Sequence, residues 1–353
     1  MFQKALNELT VSFQIAGRSP LFIKDGRYEK ERGDNASPDA IFISSVRPNE
    51  FRDLVRRALK GSCTDFYIPG ASLKGAWRSY LEKALRSLDS FPKVCDPLVQ
   101  GKESTNGEEA NSEMSAAENA YRSCSDRLMN KEGQRPDHPY RDSCPVCRLF
   151  GSTAHGSRIS MGDAKCEKGT PLLAENNAIS RQTGAAIAPF KTLVIRDAIF
   201  VGTLRLRNFE LWHLGLLARL FDDLKEARVP LGAGKNKGWG RTCVTATSIE
   251  LAYFGLQDRF ADDKLRGAAE LLPESQHDHY GIHPTRDQAL PQITARKNQQ
   301  QSSLWRNVRE IASPEDFWNA TRSCFDMTVW DGFQSLAELQ ALVQKRHSED
   351  RPA

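Results

Sequence analysis

The sequence predicts an α+β fold, and three observations carry that expectation. Apolar and polar side chains alternate at Leu9, Val11, Phe13 and Ile15, the period of a strand with one buried face. Leu73, Ala76, Trp77, Tyr80, Leu81, Ala84, Leu85 and Leu88 recur at helical spacing. A second run of strand, strand, helix and strand then fills residues 157–253.

Residues 17–66, after the first strand, run through Gly, Asp, Asn, Pro and charged positions, with an apolar piece at Ile41-Phe42-Ile43 and a helix over 49–60. They read as an excursion over the surface. The helix that follows takes Ser72 as its expected N-cap, which puts Lys74 and Arg78 on the face away from the apolar stripe. Residues 99–140 are rich in small and charged side chains that cannot bury much apolar surface, and are expected to form a mobile insertion. Ser157–Asp163 alternates, and Leu193–Leu206 is rich in β-branched and aliphatic residues, so both read as strands. Asn208 is expected to cap a helix carrying Leu217, Leu220, Phe221 and Leu224, which Pro230 stops. A Thr- and Val-rich strand over 241–253 follows. Strand, helix, strand, strand, helix, strand is the ferredoxin-like, split βαβ order. After Tyr253 the pattern reads as helical at 258–272 and 304–312, with helix starts at Ser313 and at the capping-box segment Ser335-Leu336-Ala337-Glu338. A polar linker, 273–303, interrupts it. The expected domains are therefore 1–253 and a helical extension, 254–353.

With 353 residues and 39% hydrophobic content, the chain has material for a real core. No apolar run approaches a membrane span, and Met1-Phe2-Gln3-Lys4 lacks the layout of a secretory signal, so a cytoplasmic location is expected. The net charge of +4 is too mild for a histone-like protein, so any nucleic-acid surface must be local. Eight cysteines without an export signal argue for metal binding or burial over disulfides.

Three motifs carry chemistry. Ile68-Pro69-Gly70-Ala71-Ser72-Leu73-Lys74-Gly75-Ala76-Trp77-Arg78 delivers a helix start with two cations four residues apart, an arrangement suited to phosphate. Leu231-Gly232-Ala233-Gly234-Lys235-Asn236-Lys237-Gly238-Trp239-Gly240-Arg241 combines four glycines with three cations. It is no nucleotide-hydrolysing loop, because it lacks Gly-Lys-Ser/Thr leading into a helix. Cys144-Pro145-Val146-Cys147 is a C-x2-C knuckle able to hold one side of a tetrahedral zinc site. Cys95 and Cys124 are the expected further ligands, with His138 as competitor, and Cys63, Cys166, Cys243 and Cys324 are assigned to burial. His277-Asp278-His279-Tyr280-Gly281-Ile282-His283 could serve a metal or acid–base site but lies in the polar linker. Asp34 and Asp39 fall in the excursion, where the fold would bring them beside the phosphate-binding turn.

Together these residues resemble the RAMP superfamily, the ferredoxin-like RNA-binding proteins of CRISPR systems, and in particular the repeated backbone subunit of type III effector complexes. Ile68-Pro69-Gly70-Ala71-Ser72-Leu73-Lys74-Gly75 is similar to the family's turn and helix start. Cys144-Pro145-Val146-Cys147-Arg148-Leu149-Phe150-Gly151 resembles its cysteine knuckle with a following Leu-Phe-Gly element, placed within an insertion over 95–148. Arg181-Gln182-Thr183-Gly184-Ala185-Ala186 resembles the start of its thumb hairpin, about 180–198, and 231–241 its terminal glycine-rich loop.

The resemblance implies a subunit that grips CRISPR guide RNA along its phosphates, beside other effector subunits and further copies of itself. A thumb interrupts the guide–target duplex and flips out a nucleotide, freeing a 2′-hydroxyl for in-line attack. An aspartate then assists cleavage of the complementary target RNA with Mg2+ or another divalent cation. Asp39 in Asp39-Ala40-Ile41 best fits that aspartate, and Asp34 is the second choice. By the same correspondence Ser72, Lys74, Arg78, Gly234, Lys235, Lys237, Gly238 and Arg241 would contact guide phosphates, with Arg181 and Thr183 at the thumb base. Sequence specificity would come from base pairing. The rival readings are a binding-only subunit, a transcript-processing endoribonuclease using the histidine cluster, and a zinc-stabilised domain unrelated to nucleic acid.

Overall fold

The computed structural model describes residues 4–30, 37–88, 92–99, 120–128, 138–177, 179–185, 190–255, 260, 262–282, 291–298 and 301–349. An eight-stranded sheet organises them. Its central strand, β1 (Asn7–Gly17), lies antiparallel between β5 (Phe190–Arg207) and β6 (Thr242–Phe254). Beyond β5 come β4 (Ala164–Asn176) and the short β2 (Tyr67–Ile68), while β3 (Ile159–Met161) pairs with the other end of β5. The central order, β6-β1-β5 and then β3 or β4, is that of the split βαβ arrangement.

Alternation in β1 works as its spacing predicts. Leu9, Val11, Phe13 and Ile15 are fully buried, while Glu8, Thr10, Ser12 and Gln14 stay half-exposed on the other face. Helices α1 (Phe51–Leu59) and α2 (Gly70–Arg86) precede β3, and α3 (Cys124–Leu128) and α4 (Pro145–Phe150) belong to the knuckle region. Helix α5 (Leu211–Lys225) connects β5 to β6. The Trp77 ring of α2 sits 5.5 Å from Phe13 of the sheet and 5.7 Å from Phe221 of α5. One aromatic side chain thus ties both crossover helices to the central strand.

Four expectations are corrected. Helix α2 begins at Gly70 with Pro69 as its N-cap, two residues before Ser72. Asp163 Oδ1 accepts the Gly70 N–H at 2.8 Å and so caps the helix there, at a backbone crossing where a Cβ at Gly70 would lie 2.2 Å from the Met161 carbonyl oxygen. Asn208 does not cap α5. It turns at φ 48° and its side chain bridges Leu6 N–H at 2.8 Å and the Lys4 carbonyl at 3.1 Å, so it holds the start of β1. Residues 304–312 form no helix, because β8 (Arg306–Ile311) pairs with β6 and carries β7 (Ala295–Lys297) at the sheet edge. The three-residue spacing of Trp305, Val308 and Ile311 imitates a helical stripe. Among the described residues of 258–272, helix is confined to Ala268–Leu271.

The segment after Tyr253 therefore adds strands as well as helices and enters the same core. In α6 (Pro314–Thr321), Trp318 stacks on Phe221 at 4.8 Å and 17°. Phe333 meets Trp212 at 5.0 Å. Residues 100–119 and 129–137, most of the expected insertion, lie outside the described residues. No described helix is long and apolar enough to cross a membrane.

Replacing Trp77 with Ala is expected to cost about 3–5 kcal/mol, the range for deleting a buried aromatic, read as a fall in the urea midpoint at unchanged slope.

Candidate nucleic-acid interface

A short extended stretch, Pro20–Asp25, forms a ledge past the end of β1. The glycine-rich loop docks on it from one side: Gly240 N–H donates to Pro20 O and Ala233 N–H to Phe22 O, both at 2.8 Å. The segment carrying Asp39 docks from the other side. Asp25 N–H donates to Ile41 O at 3.0 Å and Ile43 N–H to Ile23 O at 2.8 Å. That segment also lies against the start of β5, where Leu193 N–H donates to Ala40 O at 2.9 Å. The ledge itself is anchored to β5 through reciprocal bonds between Leu21 and Ile195, at 2.9 and 3.0 Å. Loop, aspartate segment and the distal β4–β5 hairpin thus converge on six residues.

The loop's glycines serve this docking. Gly232, Gly234, Gly238 and Gly240 all have φ between 75° and 82°, a left-handed conformation glycine adopts without strain. At Gly232 a Cβ would strike Phe22 O at 2.1 Å, and at Gly240 Leu231 O at 2.0 Å. Gly238 faces open space. Folded this way, the loop presents Lys235, Lys237 and Arg241 as exposed side chains, with Lys237 Nζ 5.3 Å above the Trp239 ring. Two further exposed cations, Arg18 just before the ledge and Lys24 on it, escaped the sequence reading. Their only signal was a glycine-flanked stretch, Gly17–Gly26, with cations inside it.

Asp39 is committed to two partners. Lys30 Nζ reaches Oδ1 at 2.8 Å and the Lys191 backbone N–H reaches Oδ2 at 2.6 Å. The Lys30 bond first, then the Lys191 amide, hold its carboxyl below the usual range, so it is ionised at neutral pH. The Tyr28 hydroxyl donates to Pro38 O at 2.9 Å and steadies the segment. Asp34 lies outside the described residues. Arg181 and Thr183 are exposed in the connection beyond the last β4–β5 pair, Asn176 with Phe190. A turn closed by Ser180 N–H to Ala185 O at 2.9 Å and by Gly184 N–H to Ser180 O at 2.9 Å carries them.

The start of α2 differs from its sequence reading. Asp163 Oδ1 accepts the Gly70 N–H at 2.8 Å, so the chain's own carboxylate occupies this helix end. Ser72 is exposed in the first turn, and Lys74 is half-buried. Burial and then the nearby Arg78 charge pull the Lys74 ammonium below its ordinary range. Arg78 turns inward. It bonds Glu82 Oε1 at 2.8 Å, Gly151 O at 3.0 Å and Cys147 Sγ at 3.3 Å.

Cys95, Cys124, Cys144 and Cys147 are buried with all four Sγ atoms within 4.8 Å of one another. The Cys95–Cys147 and Cys95–Cys144 separations are 3.6 and 3.7 Å. Those are too long for a disulfide and match the edge of a tetrahedron of thiolates about 2.3 Å from a central ion, about 3.8 Å. N–H donors surround the sulfurs: Arg127 and the Cys144 amide to Cys124 at 3.2 and 3.3 Å, besides Arg78 to Cys147. The two guanidinium groups offset the charge of thiolates in such a cluster. The donor set is compatible with structural zinc. His138 is not in it; its ring meets that of His279 at 6.5 Å. His277 Nε2 lies 2.9 Å from the Ala269 carbonyl oxygen, and His283 is outside the described residues. Of the cysteines assigned to burial, Cys63, Cys166 and Cys324 are buried, while Cys243 is half-exposed and accepts from Arg18 Nε at 3.1 Å.

Fold and surface together define a ferredoxin-like α+β protein with a cationic glycine-rich loop beside an open hairpin. The family model of the RAMP superfamily matches residues 15–243, more than half of the chain, and the chain belongs to that superfamily. It is accordingly an RNA-binding protein of the CRISPR-associated class. A search among curated proteins returned no match.

Asp39 contributes its bonds while ionised, so their stabilisation is present above the ordinary carboxylate value of about 4 and is lost as pH falls through its lower folded value. Hydrogen exchange should show this at the Lys191 amide. Protection at neutral pH is expected to fall in Asp39→Ala, and in the wild type only below about pH 4.

Proposed function

We propose that this chain is the guide-RNA-binding backbone subunit of a type III CRISPR effector complex. The observation that carries the reading is the convergence of the glycine-rich loop, the Asp39 segment and the β4–β5 hairpin on Pro20–Asp25. An RNA strand crossing this ledge meets exposed cations of the loop, Lys235, Lys237 and Arg241, together with the open backbone at Gly238 and the neighbouring Gly234, which packs on Trp239. Lys74 and Ser72 extend the contact onto α2. Arg78 is left out of the phosphate set, because its guanidinium is committed to the cysteine cluster. The distal hairpin with Arg181 and Thr183 serves as the thumb that interrupts the guide–target duplex. Copies of this chain and other effector subunits flank it.

Zinc held by Cys95, Cys124, Cys144 and Cys147 would supply folding free energy to a region with little apolar surface. Elemental analysis of the purified chain is expected to find one zinc per chain, and Cys147→Ser to lose it along with several degrees of thermal midpoint. Full zinc retention by that variant would contradict the assignment.

A second reading, cleavage of guide-paired target RNA, is favoured by one observation: Asp39 is held ionised on the rim of the ledge. A divalent cation does not fit the residues as they stand. Both carboxylate oxygens are engaged, Lys30 contributes a positive charge at 2.8 Å, and the only cluster of three or more metal-ligating side chains among the described residues is the cysteine group. The aspartate's first role in this chain is to hold the start of β5 by accepting the Lys191 amide.

One assembled complex tests both readings. Lys235→Glu with Lys237→Glu is expected to weaken guide retention at least tenfold and to make the salt dependence of binding shallower by about two contacts. Asp39→Ala, in the same complex, leaves guide retention intact. Loss of target cutting in it would support the second reading, and unchanged cutting would sink it.

A further inference from the structure

At the end of β1 opposite the ledge, the uncovered face of the sheet carries an open cavity of about 510 Å³ lined by Lys4, Arg205, Arg207 and Arg306 together with Glu8 and Phe254. Its cations come from separate elements: the N-terminal lead-in, the end of β5 and the start of β8. Glu8 takes up one of them, accepting from Arg207 Nε at 2.6 Å. Gln301 engages two other groups here, Arg306 through a carbonyl at 2.9 Å and Glu250 through its side-chain amide at 2.7 Å. The Arg306 Nε is buried without a hydrogen-bond partner. The cavity keeps a positive surplus from Lys4, Arg205 and Arg306.

Immediately beside it stands a turn built against ordinary turn chemistry. Ser303 and Arg306 close a two-residue turn through reciprocal backbone bonds of 2.7 and 3.2 Å. Its apex residues are Leu304 and Trp305, exposed 78% and 66%. Such tight turns favour Gly, Asn and Asp, and neither apex residue is in the left-handed region. A local rule broken in the open, with no packing gain, marks a contact surface. The Trp305 carbonyl accepts from Gly255 N–H at 3.0 Å, which fixes the indole's backbone at the end of β6 next to Phe254 of the cavity wall.

A cationic groove beside an exposed aromatic side chain is the combination that holds single-stranded nucleic acid, phosphates on the cations and a base on the ring. We infer that this end of the sheet, Trp305 with Lys4, Arg205 and Arg306, is a second contact for single-stranded RNA, distinct from the ledge. It rests on the reading that the chain binds RNA. The eleven residues of β1 separate the two contacts by roughly 30 Å, so a strand must span that length to engage both. An acidic protein would suit the cations but would not call for an exposed indole beside them.

The test uses the full chain with two uridine homopolymers, one too short and one long enough to span both contacts. Trp305→Leu and Arg205→Glu should each weaken binding of the long RNA by about fivefold or more, while Trp305→Phe stays within about twofold because its ring still stacks. Trp305 is the one strongly exposed indole among six tryptophans, so the quenching of tryptophan emission on binding should fall in Trp305→Phe. Unchanged long-RNA affinity in both Trp305→Leu and Arg205→Glu, with the wild type still binding and Lys235→Glu/Lys237→Glu impaired, overturns this inference and leaves the ledge standing. Failure of the wild type to bind either RNA overturns the ledge as well. Loss of self-association in Trp305→Leu without loss of RNA affinity overturns it in favour of a protein contact.

Discussion

Backbone hydrogen bonds to one short stretch, Pro20–Asp25, are the constraint on which the candidate RNA surface depends. The glycine-rich loop, the Asp39 segment and the β4–β5 hairpin are far apart in the chain and none is a regular element over its whole length. Each is fixed by amide-to-carbonyl contacts with this ledge or with the strand it leans on. Buried backbone groups must find partners, so the ledge cannot shift without unpairing its neighbours. Asp25 reinforces it from beneath. Its buried carboxylate accepts from Arg27 at 2.7 Å and from the Ser44 amide at 3.3 Å. The loop's cations are therefore displayed on a stiff support, and a stiff support lowers the ordering cost of binding.

A second set of fixed contacts joins α2 to the cysteine cluster. Arg78, Glu82 and Arg86 follow one another at four-residue spacing on α2. Arg78 reaches Cys147, and Arg86 donates to the Cys95 carbonyl at 2.6 Å. The helix on which the first phosphate motif begins is thereby tied to the cysteine cluster. Burial works against the Arg78 charge, and the Cys147 sulfur with the Glu82 carboxylate more than restores it. This arginine acts as a structural strut where its sequence position suggested a ligand contact.

Much of the fold was legible because the signals were periodic. The β1 alternation and the α2 and α5 stripes follow from side-chain spacing, the last strand of the split βαβ order from its Thr and Val content, and the C-x2-C knuckle with Cys95 and Cys124 as expected partners matches the four sulfurs that the structure gathers. What escaped depends on contacts between distant backbones. Nothing local to Gly70 announces the approach of the Met161 carbonyl, so Ser72 looked like the better cap. Nothing local to Asn208 shows that its side chain is needed by Leu6. Val308 and Ile311 keep a helical spacing of three, and only pairing with β6 makes the segment a strand. In the candidate site, the cations of 231–241 were readable, whereas Gly232 and Gly240 proved to serve close backbone packing on Phe22 and Leu231 more than approach of a ligand. The ledge itself had no motif.

The account is tested most directly by where guide RNA touches this chain. Photo-cross-linking of a guide-loaded complex, with the attached peptides identified by mass spectrometry, reads that path without altering a residue. Cross-links concentrated in 231–241 and in the neighbouring stretch 18–24 are the predicted result. A guide that cross-links strongly elsewhere on the chain, and to neither of these segments, would contradict the claim that the ledge organises RNA binding.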